Sequence, residues 1–306
     1  MIKKIITLAI ALGMTIAMSA AGINTKSYDF GEITAINATF WYKIEVSYGK
    51  TDKIVVSYPE EFEKYLNIKC SNGTLNLLHN NNSFPRRHIN SIIGKGDMIT
   101  VKLQMRTINE LNLSGSSKLY PTGNFKAENT FICNLSGAAS IVGTLNISAY
   151  AMEYKFSGAT DGHIKGSFDN VSGTASGASD VILELLGNTD RFDAKLSGAV
   201  DFDAYAENVT GKTVIEASGA SNAIISGKTE SIFLRASGAC DINTKEMTAN
   251  SGTATASGSS SIRIYGKEHL DLEVSGAADI KYYGTCRESE VVKRLPKYAA
   301  SIESGN

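Results

Sequence analysis

Proline is scarce, four in 306 residues, and so is net charge, since 30 basic side chains stand against 31 acidic ones for a formal charge of −1. With no basic stripe interleaved with aromatics, that balance excludes nucleic acid as an expected partner. The four histidines, His79, His88, His163 and His269, sit at unrelated spacings, and without a His-x-x-x-His pair the usual zinc chemistries drop out. No Gly-x-Ser-x-Gly elbow is present, which removes the common hydrolase nucleophile. No glycine-rich loop leads into a helical pattern that could hold a phosphate. Nor does any apolar run beyond the first 21 residues reach the length of a membrane-spanning helix. What the chain does have is 28 glycines, with many Ser, Thr, Asn and β-branched residues, the composition of short strands joined by tight turns.

The opening "MIKKIITLAIALGMTIAMSAAG" places Lys3 and Lys4 before an apolar run from Ile5 to about Ala17, followed by Ser19-Ala20-Ala21. This is the pattern of a secretory signal peptide over 1–21, with cleavage expected near Ala20 or Ala21. The first cysteine is Cys70, so acylation at the cleavage site is not expected and the protein is not read as a lipoprotein. Losing the two lysines takes the formal charge from −1 to −3. Export, to the periplasm, the outer surface or the medium, is the expectation.

The organisation lies in a repeat. Taking the Ser of a recurrent Ser-Gly as a marker gives Ser114, Ser136, Ser157, Ser176, Ser197, Ser218, Ser237, Ser257 and Ser275, spaced 18 to 22 residues apart. A period near twenty is that of a solenoid. The residue before each marker is apolar in every copy, the one before that is polar, and the third before is again mostly apolar, which is a strand with one face in a core. Gly then Ala or Ser follows every marker, making a tight corner. Positions five and seven past the marker are apolar once more (Leu119, Ile141, Val181, Phe202; Ile164, Leu183, Ile225), a second strand. The Leu-x-x-Leu-x-Leu pattern of leucine-rich repeats is missing. The fold class expected is all-β, a parallel β-helix of about nine coils carrying the SGAxD motif, plus an irregular β region at its N-terminal end. At about 4.8 Å per coil the rod measures on the order of 40 Å. The expected organisation is signal peptide 1–21, N-terminal β coils or cap 22–100, repeats 101–285, and a cap or tail 286–306. Residues 81–98 read as a loop.

The leader, "YDFGEITAI", "KIEVSYGKTDKIVVSYPEEFEKYLNIKCSNGTLNLL", "TVKLQMRTINELNLSGSSKL" and the SGAxD run together resemble the head GIN domain family of exported proteins in Bacteroides-like bacteria, which carries the label auto-transporter adhesin. The resemblance covers about residues 27–284. It implies a right-handed parallel β-helix at the cell envelope and no catalytic motif. The C-terminal residues, however, lack the alternating segments of a membrane barrel.

Candidate site residues follow from the columns. Four past the marker, Asp161, Asp180 and Asp201 fall on consecutive coils, where they could gather Ca²⁺ or act as acid and base on a polysaccharide. The structural reading, preferred because Asn222, Ser140 and Ser261 share the column, is a short side chain bonded to backbone amides at the corner. Tyr205, Tyr265 and Tyr283, eight past their markers, are the candidate sugar-stacking surface. No catalytic residue, cofactor or metal is assigned, and the nine marker serines are read as corner residues. The expected function is non-catalytic adhesion or scaffolding, with a cell-surface or extracellular polymer, a glycan for example, or another envelope protein as partner. A polysaccharide lyase or hydrolase on the same fold is the alternative. Cys133 and Cys240 lie five coils apart and are expected to be buried, unpaired thiols.

Overall fold

The corner motif sets the architecture. In a computed structural model, which describes residues 14–15, 22–50, 53–80, 99–296 and 300–305, the repeats stack as a parallel β-solenoid of about nine turns. The leader expected over 1–21, apart from Met14–Thr15, and the loop expected over 81–98 lie outside the described residues. Marker pairs with marker and glycine with glycine from coil to coil: Ser136 with Ser157, Ser176 with Ser197, Ser218 with Ser237, Gly238 with Gly258.

Three kinds of bond recur at the corners. The glycine takes a positive φ, 97° at Gly198 and 79° at Gly219, a conformation that costs a residue with a Cβ. The small residue after it donates its amide to the glycine carbonyl of the preceding coil, as Ala199 does to Gly177 and Ala220 to Gly198, both at 2.7 Å. Marker hydroxyls cross the same gap, Ser218 Oγ donating to the Leu196 carbonyl at 3.2 Å and Ser257 Oγ to the Ala236 carbonyl at 3.3 Å. Inside the corner, three past the marker, runs a column of small buried side chains including Thr160, Ser179, Val200, Ser221, Cys240 and Ser260. Several of them turn back on the marker: Ser179 Oγ donates to the Ser176 carbonyl at 2.7 Å and Ser260 Oγ to the Ser257 carbonyl at 2.9 Å.

Two walls flank the corner and a third closes the coil. The wall before it buries the columns of Leu111–Leu272 and Leu113–Val274. The wall after it buries Leu119, Ile141, Val181, Phe202, Ile242, Ile262 and Ile280. Phe131, Phe156, Phe168, Phe192 and Phe202 fill the N-terminal half of the core, where a fully buried side chain of this size contributes about 1.5–3 kcal/mol. The third wall absorbs the variation in repeat length. Register shifts fall between Leu185 and Asn188, Ala206 and Val209, and Thr244 and Ala249, while the corner stays in step. Buried hydroxyls on this side are partnered, Thr189 Oγ1 to the Phe168 carbonyl and Thr213 Oγ1 to Thr229 Oγ1, as burial of a polar group requires.

At the N-terminal end, chain order and spatial order part. Ala35–Ala38 and Tyr42–Tyr48 form a coil lacking the Ser-Gly mark, and the Ser114 coil stacks directly on one side of it. On its other side lie Thr74–His79 and Ile99–Met105, so the chain leaves the first coil, builds the end of the rod, and returns across it. Ile54–Pro59 runs antiparallel on Ile99–Met105, and Ile23–Tyr28 antiparallel on Ile54–Pro59. The "PEEFEKYL" stretch contributes a 3-10 helix, Glu60–Tyr65, with Phe62 buried. At the other end the Ser-Gly mark stops but the ladders continue: Val291–Arg294 pairs with Leu270–Glu273, and Ser301–Ser304 with Asp279–Tyr282. Among the described residues no helix is long and apolar enough to cross a membrane.

Candidate functional site

The outward side of the wall after the corner carries positions four, six and eight past each marker. Asp161, Asp180 and Asp201 pair in direct register there on three consecutive coils, all exposed. Among the described residues no hydrogen bond reaches these three carboxylates. The corner bonding expected of them is made by the neighbouring inward residue instead, because a side chain four past the marker points away from the corner amides, which are already bonded to the preceding coil. The carboxyl of Asp180 sits above the ordinary aspartate range, first because partial burial disfavours its charge and then because Asp161, Asp201 and Asp203 repel it. No group of three or more His, Cys, Asp or Glu side chains among the described residues is arranged to hold a metal ion.

The tyrosines divide. Tyr265 and Tyr283 pair on adjacent coils, both half-buried, and Lys245 Nζ lies 4.9 Å from the Tyr283 ring centre, a cation–π contact. Tyr205 is well exposed but pairs with Glu184 and Ser226, so it is not joined to the other two. The marker serines stack on one another at the corner, before this wall begins.

One cluster on the wall escapes a reading made down single columns. His163 Nδ1 lies 2.9 Å from Thr144 Oγ1, and His163 Nε2 lies 2.7 Å from Glu184 Oε1. Lys165 Nζ donates to Glu184 Oε2 at 2.6 Å. Lys165 foremost, and His163 after it, hold the Glu184 carboxyl below its usual range. These residues stand six and eight past the markers of three successive coils, so the signal was in the sequence but ran across columns. The network ties those coils together beside the acidic run.

The fold thus defines a class, an all-β solenoid turning on Ser-Gly-small corners. The family described as "Putative auto-transporter adhesin, head GIN domain" matches residues 32–214 and 187–286, and the chain belongs to it. Among solved structures, a "putative adhesin" of Parabacteroides distasonis ATCC 8503 is similar at 10% identity, covering 92% of this chain and 96% of that one with a TM-score of 0.47. A "putative lipid binding protein" of the same organism is similar at 14% identity, 93% and 95% coverage and a TM-score of 0.45. A "putative adhesin" of Parabacteroides merdae ATCC 43184 stands at 13% identity, 93% and 96% coverage and 0.41. No curated protein matches the sequence.

Proposed function

We propose that this is an exported, adhesin-like solenoid that acts by binding rather than catalysis, presenting the outward wall after the corner to a polymer of the cell surface or its surroundings, or to another envelope protein. The observation that carries the reading is the division between corner and face. Ser-on-Ser and Gly-on-Gly register is kept from coil to coil, while the outward positions vary, with a polar network (Thr144, His163, Glu184) beside acidic residues (Asp180, Asp201) and an aromatic pair (Tyr265, Tyr283) farther along. A constant scaffold with a changing face suits recognition of an extended partner. Export rests on the leader pattern of residues 1–21, and adhesion on membership of the family.

The raised Asp180 carboxyl between two others favours one second reading, a polysaccharide-cleaving enzyme with Asp180 as proton donor. A glycan array on the mature protein, paired with assays for new reducing ends and unsaturated sugars, separates the two. Retention of a glycan without product is the expected result. Steady product formation that Asp180→Asn abolishes overturns it.

A further inference from the structure

The outward wall bears a concavity at the N-terminal end, at the unmarked coil. Three parallel strands lie side by side there, Ile99–Met105, Tyr42–Tyr48 and Lys118–Thr122, in a register that aligns their outward residues. One row reads Lys102, Glu45, Tyr120 and the next Gln104, Ser47, Thr122. Lys53 and Val55, on the antiparallel side, complete a cleft of about 710 Å³, within the range of small-ligand sites of about 300–1,000 Å³. Packing shapes it: Gly49 leaves the space that the Gln104 side chain occupies, since a Cβ there would lie 2.8 Å from Gln104 Oε1.

The charge of this cleft opposes that of the wall beyond it. Glu45 is held between Lys43 Nζ at 2.6 Å and Lys102 Nζ at 3.1 Å. With Lys53 on the far side, the charged residues lining the cleft are two lysines and one glutamate, in a chain whose overall charge is −1. Lys43 Nζ also stands 5.1 Å from the Tyr120 ring centre, which keeps that ring in place. Beside the cleft's two rows, the column of Lys43 and Lys118 passes through Ser140 to Asp161, Asp180 and Asp201. A polyanion lying along the rod from the cleft would run beside a row of carboxylates within two coils.

We propose that this cleft binds a short acidic saccharide, its carboxylate or sulfate groups set against Lys53 and Lys102 and its hydroxyls against Ser47, Thr122 and Gln104. Among the described residues the cations of the cleft are lysines, which act as point charges, and no arginine fork lines it to grip phosphate in two places, which favours carboxylate or sulfate on a sugar. Donors and acceptors in a row beside a tyrosine match the alternating hydroxyls and C–H faces of a sugar chain. The Asp row limits the acidic stretch that fits. This site rests on the binding reading above and names its ligand class.

The test is calorimetric titration of the full mature chain with three probes: trigalacturonate for carboxylate, a chondroitin sulfate tetrasaccharide for sulfate, and neutral galactotriose. Binding of one or both acidic probes, weakening with salt, and none of the neutral one is expected. The pair Lys53→Gln with Lys102→Gln should weaken that binding at least about tenfold, while Lys195→Gln on the opposite wall leaves it unchanged. Thermal melts establish that each variant is folded, and Tyr120→Ala gives a second, charge-neutral perturbation that should also weaken binding. Equal binding of neutral and acidic probes, or wild-type affinity in the lysine double variant, overturns the site. If no acidic probe binds but an array ligand is lost with Tyr205→Ala or Tyr265→Ala, the cleft proposal falls and the adhesin reading stands. If no face retains any ligand, both fall.

Discussion

A Cβ placed on Gly198 would lie 2.7 Å from the carbonyl oxygen of Gly177, its partner one coil earlier. That oxygen is the acceptor of the Ala199 amide, so neither atom can withdraw without breaking the bond that joins the coils. The corner glycine therefore answers two demands, a positive φ and a close approach of backbone to backbone.

The two demands can be separated. Gly143 also has a positive φ, 85°, yet nothing lies within 4 Å of where its Cβ would be. Gly143→Ala should cost only the left-handed conformation, about 1–2 kcal/mol. Gly198→Ala adds the displaced coil and should cost about 3 kcal/mol or more. Denaturant unfolding of the two variants measures the difference, and equal losses would leave φ as the sole reason for glycine at the corner.

All four cysteines are free, Cys133 and Cys240 buried, Cys70 and Cys286 half-buried. Burial pushes the Cys133 thiol far up, and burial is also the leading cause of the rise at Cys70, Cys240 and Cys286. With thiolate scarce at neutral pH, a disulfide reagent should react slowly with Cys70 and Cys286 and leave Cys133 and Cys240 untouched until the chain unfolds. Unfolding without reductant should then release four titratable thiols. Fewer than four would mean a disulfide that the stacking order does not allow.

The column inside the corner makes a smaller prediction. Ser221 Oγ donates to the Ser218 carbonyl at 3.0 Å, but Ala139 and Ala278 hold the same position in other coils without a hydroxyl. Ser221→Ala should cost no more than about 1 kcal/mol, the net worth of one hydrogen bond. Ser221→Leu should cost more, because overfilling a closed site displaces its neighbours at about 1–3 kcal/mol. Chemical denaturation of both variants against wild type checks the order.

The repeats were legible because stacking makes one residue's neighbours its own equivalents, so periodicity in sequence is contact in space. The inward columns of Leu111, Leu113 and Leu119 follow from that alone. Coils or a cap were expected over 22–100, but the corner of the first coil was not legible, since Thr39 and Phe40 stand where later coils have Ser and Gly. Phe40 keeps the corner with a φ of 105° and accepts the Ser116 amide at 2.7 Å, as a glycine carbonyl would. Its ring stacks on His79 at 4.9 Å, a contact with a strand on the far side of the coil. Backbone register carried the motif there after the residues had changed. The Asp column failed for another reason: a column shows which residues are equivalent, not which of two adjacent columns reaches the backbone. The acidic residues proved outward and the hydroxyls beside them did the bonding.

Asp180 joins these threads to a measurement. Its folded pKa lies above its unfolded value, through partial burial first and then the charges of Asp161, Asp201 and Asp203. The native state therefore binds this proton more readily than the unfolded chain does. The ionised side chain is destabilising at neutral pH, and that penalty disappears as pH falls through the folded pKa toward the ordinary aspartate value near 3.9. Asp180→Asn removes the charge and keeps the shape. At neutral pH it should raise the melting temperature by about 1–3 °C, the scale of an exposed charge interaction in a chain of this size. The gap between variant and wild type should close as the pH is lowered through that range. Glu45 and Glu184 run the other way, their carboxyls held low by Lys43 and by Lys165 respectively, so their contribution is lost as pH falls and both proteins weaken together in acid. Comparing the two melts at each pH cancels that common loss. Calcium and chelator should leave both melting temperatures unchanged. A calcium-dependent rise in wild type that Asp180→Asn abolishes would instead show the three carboxylates gathering a cation, and would make the outward row of Asp161, Asp180 and Asp201 a metal site.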